Sequence, residues 1–284
     1  MILFKKTDDL HHYLVRKRNA HQNIGFVPTM GALHEGHLSL LQESTSFNDC
    51  TVCSIFVNPT QFNDPADFKK YPVTLEKDIC MLEQHKAGVL FLPGVNDMYP
   101  EGTLHVEQYD LGDIEHKLEG YYRPGHFQGV CQVMHRLLNI VQPDNLYMGQ
   151  KDYQQCMVIK KLQTLTGSQA VMHPCATQRE WDGLALSSRN LRLNESERAA
   201  APTIYQALLH IKRGLHGGPL QPLITEAKGL LEQHGFKVDY VTIADAVTLD
   251  EVNEWDGKES LIALIAAYIN EIRLIDNMLL TPEN

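Results

Sequence analysis

Along the first two thirds of the chain, short continuous apolar runs alternate with segments of helical period. The runs "NIGFVPT", "CTVCSIFV" and "VLFLP" predict strands, while residues 32–47 and 74–87 predict helices, the second ending at Gly88. After an irregular stretch, Val130, Val133, Met134, Leu137, Leu138 and Val141 recur at helical spacing, so a helix over 128–141 stops before Pro143. A short strand at "NLYM" and a helix over about 152–166 follow. Strands alternating with helices predict a parallel sheet covered on both faces.

From about residue 176 the texture changes. The stretch "TQREWDGLALSSRNLRLNESERAAA" is polar and rich in turn formers, and Asn194 with Glu197 then makes a capping box for a helix reaching about residue 213. A helix near 220–234 and apolar strands at 237–249 and 260–276 complete the pattern. The expected fold class is therefore α/β: a Rossmann-like parallel-sheet domain with helices on both faces over 1–175, and a smaller C-terminal α/β lobe with an antiparallel sheet over 176–284.

The chain has 284 residues, 43% of them hydrophobic, which is ample for a packed core. Its longest uninterrupted apolar run, "LIALIAAYI", is far short of the roughly 20 residues a membrane span requires, so no membrane segment is expected. The N-terminus turns charged after four residues and does not read as a secretory signal, which makes the cytoplasm the expected compartment. A formal charge of -10, from 35 acidic and 25 basic side chains, argues against nucleic-acid binding. It also means that an anionic substrate needs a local cluster of cationic or N–H groups.

Six dispersed cysteines suit reduced thiols better than a disulfide framework. Cys50 and Cys53 form a C-x-x-C, but within a strand an odd separation sends the two side chains to opposite faces, so buried thiols are expected in place of zinc or redox chemistry.

Two histidines close the gap between strand and helix in "FVPTMGALHEGHLSLL". If the helix begins before both, His34 and His37 project from the same side, about 60° apart around the axis. The preceding strand would deliver them to the carboxyl edge of the sheet, where a helix N-terminus favours phosphate. Gly31 and Gly36 leave room for a ligand to approach the backbone. Taken alone, the pair also fits surface residues, half of a metal site, or a satisfied core histidine. The metal reading lacks a third ligand with suitable spacing.

The string His34-Glu35-Gly36-His37, placed after the first of these strands, resembles the H-x-G-H signature of the nucleotidylyltransferase superfamily. The longer "PTMGALHEGHLSL" resembles the pantoate–β-alanine ligase family. Four further blocks match that family in order: "SIFVNPTQF" at 54–62, "RPGHFQGV" at 123–130, "QPDNLYMGQKDYQQ" at 142–155 and "REWDGLALSSRN" at 179–190.

The resemblance implies an ATP-dependent, AMP-forming carbon–nitrogen ligase of coenzyme A biosynthesis. In such an enzyme pantoate's carboxylate attacks the α-phosphorus of ATP, and β-alanine's amine then opens the acyl adenylate. It implies phosphate contacts for His34, His37 and Lys151, with His37 as proton donor, and a phosphate-binding loop at Leu186, Ser187, Ser188 and Arg189. ATP would also meet Met30, Gly31, Gly149, Gln150, Asp152 and Gln178, with Asp152 at the ribose or simply capping its helix. Gln61, Gln155 and Asn58 would line the pantoate and β-alanine site. Mg²⁺ is expected with ATP, Asp78 being a candidate ligand, and a homodimer is implied. Plain alternatives are turn or cap chemistry for Ser187 and Ser188, a polar loop for Gln61 and an exposed helix position for Gln155.

Three positions depart from the family pattern: Gln150 stands where glutamate is usual, Val73 for arginine and Leu186 for methionine. Arg123 and His126 are set aside as loop-positioning or dimer residues. Two rival readings remain at this level. One is an H-x-G-H nucleotidylyltransferase that leaves the nucleotide on its product; the other is a nucleotide- or metal-binding regulatory domain without turnover.

Overall fold

The computed structural model describes residues 1–62, 65–103 and 107–280. The chain divides into two compact units, Met1–Gln150 with Gln154–Thr177, and Lys151–Tyr153 with Gln178–Asn284. The short segment around Lys151, which the sequence assigns to the first domain, thus groups with the second.

The first unit contains strands β1 (Ile2–Phe4), β2 (Ile24–Thr29), β3 (Cys50–Ile55), β4 (Val89–Phe91), β5 (Asn145–Gly149) and β6 (Val171–Cys175). They form one sheet in the order β1-β4-β3-β2-β5-β6, with every neighbouring pair parallel. Its helices are α1 (Thr7–Asn19), α2 (Glu35–Phe47), α3 (Pro65–Lys70), α4 (Leu75–Gln84), α5 (Val95–Met98), α6 (Leu118–Tyr122), α7 (His126–Val141) and α8 (Tyr153–Thr166). Alternate strand residues feed opposite faces, as the two-residue period of a strand requires. Ile24, Phe26, Cys50, Val52, Val89 and Leu146 pack with Leu10 and Leu14 of α1, Val130 and Leu137 of α7, and Ile159 of α8. Val27, Cys53, Ile55, Leu90 and Tyr147 pack on the other face with Leu40 and Leu41 of α2 and Leu82 of α4. Cys50 and Cys53 therefore lie on opposite faces as expected, and burial pushes the Cys53 thiol up to about 12.

In the second unit β8 (Phe236–Asp245), β10 (Leu261–Ile269) and β11 (Ile272–Leu280) form an antiparallel sheet in the order β11-β10-β8. Two-residue strands β7 (Gly218–Pro219) and β9 (Glu254–Trp255) pair separately. Helices α9 (Glu195–Ala200), α10 (Thr203–Gly214) and α11 (Gln221–Gln233) precede the long strands, and Ile204, Leu208 and Leu231 pack with Ile243, Ile265 and Leu274. Among the described residues no helix is long and apolar enough to cross a membrane.

The structure departs from the sequence reading in several places, among them the end of β8 at Asp245 where a strand to 249 is expected. The helix expected from residue 32 begins at Glu35, because Gly31 and Ala32 hold positive φ of 78° and 49° and turn the chain first. The helix expected over 194–213 keeps its Asn194–Glu197 capping box but breaks between Ala200 and Thr203, where Pro202 supplies no N–H. The single strand expected at 260–276 is a hairpin, β10 and β11, reversed at Asn270 with φ of 48°. Finally, the sequence pattern does not announce β1, α1 or β6; β1 spans three residues, and α1 buries only Leu10 and Leu14.

Candidate active site

The sheet order places a reversal at β2 and β5: successive strands run from β2 through β3 to β4 on one side, and from β5 to β6 on the other. At such a reversal the loops leaving the carboxyl ends of the strands diverge and open a crevice. The loop after β2 carries Met30, Gly31 and His34 and leads into α2, whose first turn holds His37; β3, the neighbour of β2, leads to Asn58 and Gln61; β5, on the other side, ends in Gly149.

The β2–α2 turn is held from within. Thr29 Oγ1 donates to Ser54 O at 2.7 Å and accepts Gly31 N–H at 3.2 Å. Asp78, 1% exposed, then takes the next two backbone donors, Ala32 N–H on Oδ2 and Leu33 N–H on Oδ1, each at 2.9 Å. Thr74 Oγ1 adds a third bond to Asp78 Oδ1 at 3.0 Å. The carboxylate considered for a metal is thus committed to the turn that delivers the histidines. Gly31 must be glycine on two counts, its positive φ and the 3.1 Å that would separate an added Cβ from Asp78 Oδ2.

His34 is the N-cap of α2, with extended φ of -144°, and not a residue inside the helix. Its Nδ1 accepts Gly36 N–H at 3.2 Å, and His37 Nδ1 accepts His34 N–H at 3.4 Å, a reciprocal capping box built from two imidazoles. The ring centroids are 4.0 Å apart and tilted by 36°. A ring nitrogen that accepts carries no proton, so each neutral ring bears its proton on Nε2. The helix N-terminus differs from the sequence expectation here. Gly36 N–H is taken by the His34 ring and His37 N–H by His34 O at 2.8 Å, so these two backbone donors of the first turn are engaged within the turn itself. Both rings are half-buried and reachable.

Beside this turn, Gln61 closes a 3₁₀ turn over Pro59–Gln61. Asn58, expected to touch substrate, is 1% exposed and commits its amide to Gln61 Oε1, Gly129 O and Tyr99 Oη. It supports Gln61 and is sealed from a ligand. Gln61 Nε2 lies 3.0 Å from the Met30 sulfur, a weak acceptor. The "RPGHFQGV" block explains itself here: His126 Nδ1–H donates to Gln61 O at 2.9 Å, Arg123 donates to His126 Nε2 at 3.0 Å, and Arg123 stands 3.7 Å from Glu119. A Cβ on Gly129 would lie 2.3 Å from Thr60 O, so α7 approaches the Gln61 turn only through glycine. Sequence reasoning leaves His126 and Gly129 out and misses Tyr99, whose partners are distant in sequence. Gln155, on the first turn of α8, is half-buried, and nothing within 4 Å would meet a Cβ on Gly149.

Of the remaining expected residues Gln150 ends the first segment of the first unit, and the others belong to the second unit. Lys151, in the 3₁₀ turn Gln150–Asp152, lies 3.8 Å from Asp152 Oδ1, and Asn277 Nδ2 donates to its carbonyl at 2.8 Å. Tyr153 Oη donates to Ala246 O at 2.7 Å, a second tie of this segment to the same unit. Gln178 O accepts Leu186 N–H at 3.0 Å, and Ser187 Oγ accepts Arg189 N–H at 3.3 Å as N-cap of the 3₁₀ helix Ser188–Arg192. Ser187 therefore has the capping part its residue type allows; Ser188 is buried, whereas Leu186 and Arg189 are half-buried. Just upstream, Arg179 pairs through both terminal nitrogens with Asp276, the nearer contact at 2.5 Å. Of the three departures, Val73 is 76% exposed.

A family model described as pantoate-beta-alanine ligase matches residues 2–279. The chain belongs to the pantoate–β-alanine ligase family. Pantothenate synthetases of Porphyromonas gingivalis and Flavobacterium psychrophilum are 40% and 42% identical to it, each covering 98% of this chain and 99% of its own length. The crystal structure of pantothenate synthetase from Thermus thermophilus superposes with a TM-score of 0.87 at 37% identity, covering 99% of this chain and 100% of that one. Pantoate-beta-alanine ligase from Francisella tularensis, complexed with beta-gamma ATP and beta-alanine, gives 0.82 at 38% identity over 98% and 97%. Ligase-family membership over nearly the whole chain agrees with the five blocks, and the parallel sheet with its C-terminal antiparallel lobe is the fold shared with these structures.

Proposed function

We propose that this chain condenses pantoate with β-alanine at the expense of ATP, and that the imidazole pair at the start of α2 is where the nucleotide's phosphates are held. The observation that carries the reading is the capping box of His34 and His37, which engages Nδ1 of each ring within the turn and so leaves Nε2 as the nitrogen that carries the proton of each neutral ring. In the first step a pantoate carboxylate oxygen bonds to the α-phosphorus while the bond to the bridging oxygen breaks, and pyrophosphate leaves. In the second, the β-alanine amine bonds to the acyl carbon, AMP leaves with the bonding pair, and the nitrogen gives up a proton. Catalysis of such transfers rests on positioning and on cancelling negative charge as it develops.

His34 and His37 donate to phosphate oxygens, His37 also as proton donor, and Lys151 adds a fixed positive charge. Ser187, Ser188 and Arg189 bind phosphate; Met30, Gly31, Gly149, Gln150, Asp152, Gln178 and Leu186 surround the nucleotide; Gln61 and Gln155 meet pantoate, with Asn58 behind Gln61. Among the described residues no group of three or more His, Cys, Asp or Glu could hold a metal. That donor set fits a Mg²⁺ carried in on the phosphates, the usual habit of this ion, better than a resident metal. When bound, the ion would neutralise negative charge on the triphosphate. We further infer a homodimer, from the family resemblance, and a cytoplasmic setting, with which six unbridged cysteines agree.

One incubation tests the reaction: ATP, Mg²⁺ and pantoate with and without β-alanine, followed by mass spectrometry. Pantoyl adenylate without the amine, and pantothenate with AMP when it is added, are expected. ADP, or a product that keeps the nucleotide whatever amine is present, refutes the reading.

A further inference from the structure

Gln61 has its amide fixed from behind by a relay that begins at a phenol. Tyr99, 1% exposed, follows α5 and donates its hydroxyl to Asn58 Oδ1 at 2.8 Å. The contact makes Oδ1 the accepting end of Asn58 and turns Nδ2 the other way, onto Gly129 O at 3.0 Å and Gln61 Oε1 at 3.3 Å. With its oxygen held, Gln61 must direct Nε2 to the opposite side, where the Met30 sulfur lies 3.0 Å away. A thioether is a weak acceptor, so an oxygen of a ligand in its place would make the stronger hydrogen bond.

We propose that Tyr99 is a positioning residue for pantoate: its hydrogen bond, relayed through Asn58, fixes the Gln61 amide with Nε2 toward the substrate, so that this subsite takes an oxygen acceptor. The inference rests on the reading above that Gln61 meets pantoate. The two ends of a primary amide are nearly alike in shape, so only hydrogen-bond partners decide which way it faces. Asn58 Oδ1 has other donors in Thr60 N–H at 3.4 Å and Thr60 Oγ1 at 3.2 Å, both longer than the phenol's contact. Removing the phenol takes away the shortest contact on Asn58 Oδ1 and leaves the amide to Gly129 O and the longer Thr60 contacts, so Asn58 holds Gln61 Oε1 less firmly and Nε2 is less well directed at pantoate. The ring itself is pinned, with the Arg136 guanidinium 4.9 Å and the Phe56 ring 6.3 Å from its centroid. Burial holds the phenol above its ordinary range, so it stays a donor at neutral pH.

The test is a double-mutant cycle in the full chain, Tyr99→Phe and Gln61→Ala singly and together, with the KM of each substrate measured. Tyr99→Phe is expected to raise the pantoate KM about fivefold or more while moving those of ATP and β-alanine less than about twofold, and to add nothing in the Gln61→Ala background. An unchanged pantoate KM, an equal rise for all three substrates, or the same factor in both backgrounds would overturn the relay. If Gln61→Ala itself leaves the pantoate KM unaltered, the assignment of Gln61 fails first and the relay falls with it. Should Tyr99→Phe unfold the chain by circular dichroism, Asn58→Asp puts an acceptor of the same size against Gln61 Oε1. The same selective rise in pantoate KM is expected, and its absence overturns the proposal.

Discussion

His34 and His37 cap each other: His37 Nδ1 accepts the backbone N–H of His34, while the two rings stand 4.0 Å apart. Each imidazole is thereby oriented by the turn that carries it, and the turn in turn depends on a carboxylate from another helix, Asp78 of α4. Two histidines three residues apart in the chain are thus placed by a residue more than forty positions later, which fixes the backbone between strand and helix.

Asp78→Ala tests that dependence. It removes the carboxylate that accepts the buried N–H groups of Ala32 and Leu33, at about 1–3 kcal/mol for each. A large fall in urea midpoint is expected, with adenylate formation slowed beyond what the lost folded fraction accounts for. A midpoint and rate both equal to wild type would remove Asp78 from the account.

Gly129→Ala places a methyl group 2.3 Å from Thr60 O, a backbone atom that cannot swing aside. A loss of about 1–3 kcal/mol, the usual cost of overpacking, is expected in chemical denaturation. Because the strained turn also holds Gln61, the pantoate KM should rise in the folded fraction. Tolerance of alanine at this position would show that α7 can retreat without consequence.

Stability in acid should depend on Asp182. Burial alone would raise its pKa, but hydrogen bonds from Arg198 and from the backbone N–H of Leu184 more than offset that and hold the carboxyl below its ordinary range. A carboxylate depressed in the folded state contributes stability above its unfolded pKa, near about 4, and loses it as pH falls through the folded value. Asp182→Asn is therefore expected to lower the denaturation midpoint at neutral pH and to converge on wild type in acid. A difference that stays constant with pH would contradict the assignment.

The strands and helices of the parallel sheet are readable because β2 and β3 are nearly continuous apolar runs between helical periods, a pattern that burial on both faces imposes. The short β1 and weakly apolar α1 carry too few buried positions to announce themselves. The β10–β11 hairpin reads as one strand because its reversal at Asn270–Glu271 uses no glycine or proline. In the site, the histidine motif declares itself by local spacing. Its supports do not: Asp78, Tyr99 and Gly129 hold their turns through contacts 39 to 71 residues away along the chain, and no local pattern marks them.

The most direct measurement is pantoate-dependent exchange of pyrophosphate into ATP, run for wild type and His37→Ala at equal folded concentration. The wild-type chain should exchange only when pantoate is present, and the variant should be slower by more than about tenfold, or about 1.4 kcal/mol of transition-state stabilisation. Exchange without pantoate, or a variant as fast as wild type, would contradict the assignment of the imidazole pair to the phosphates.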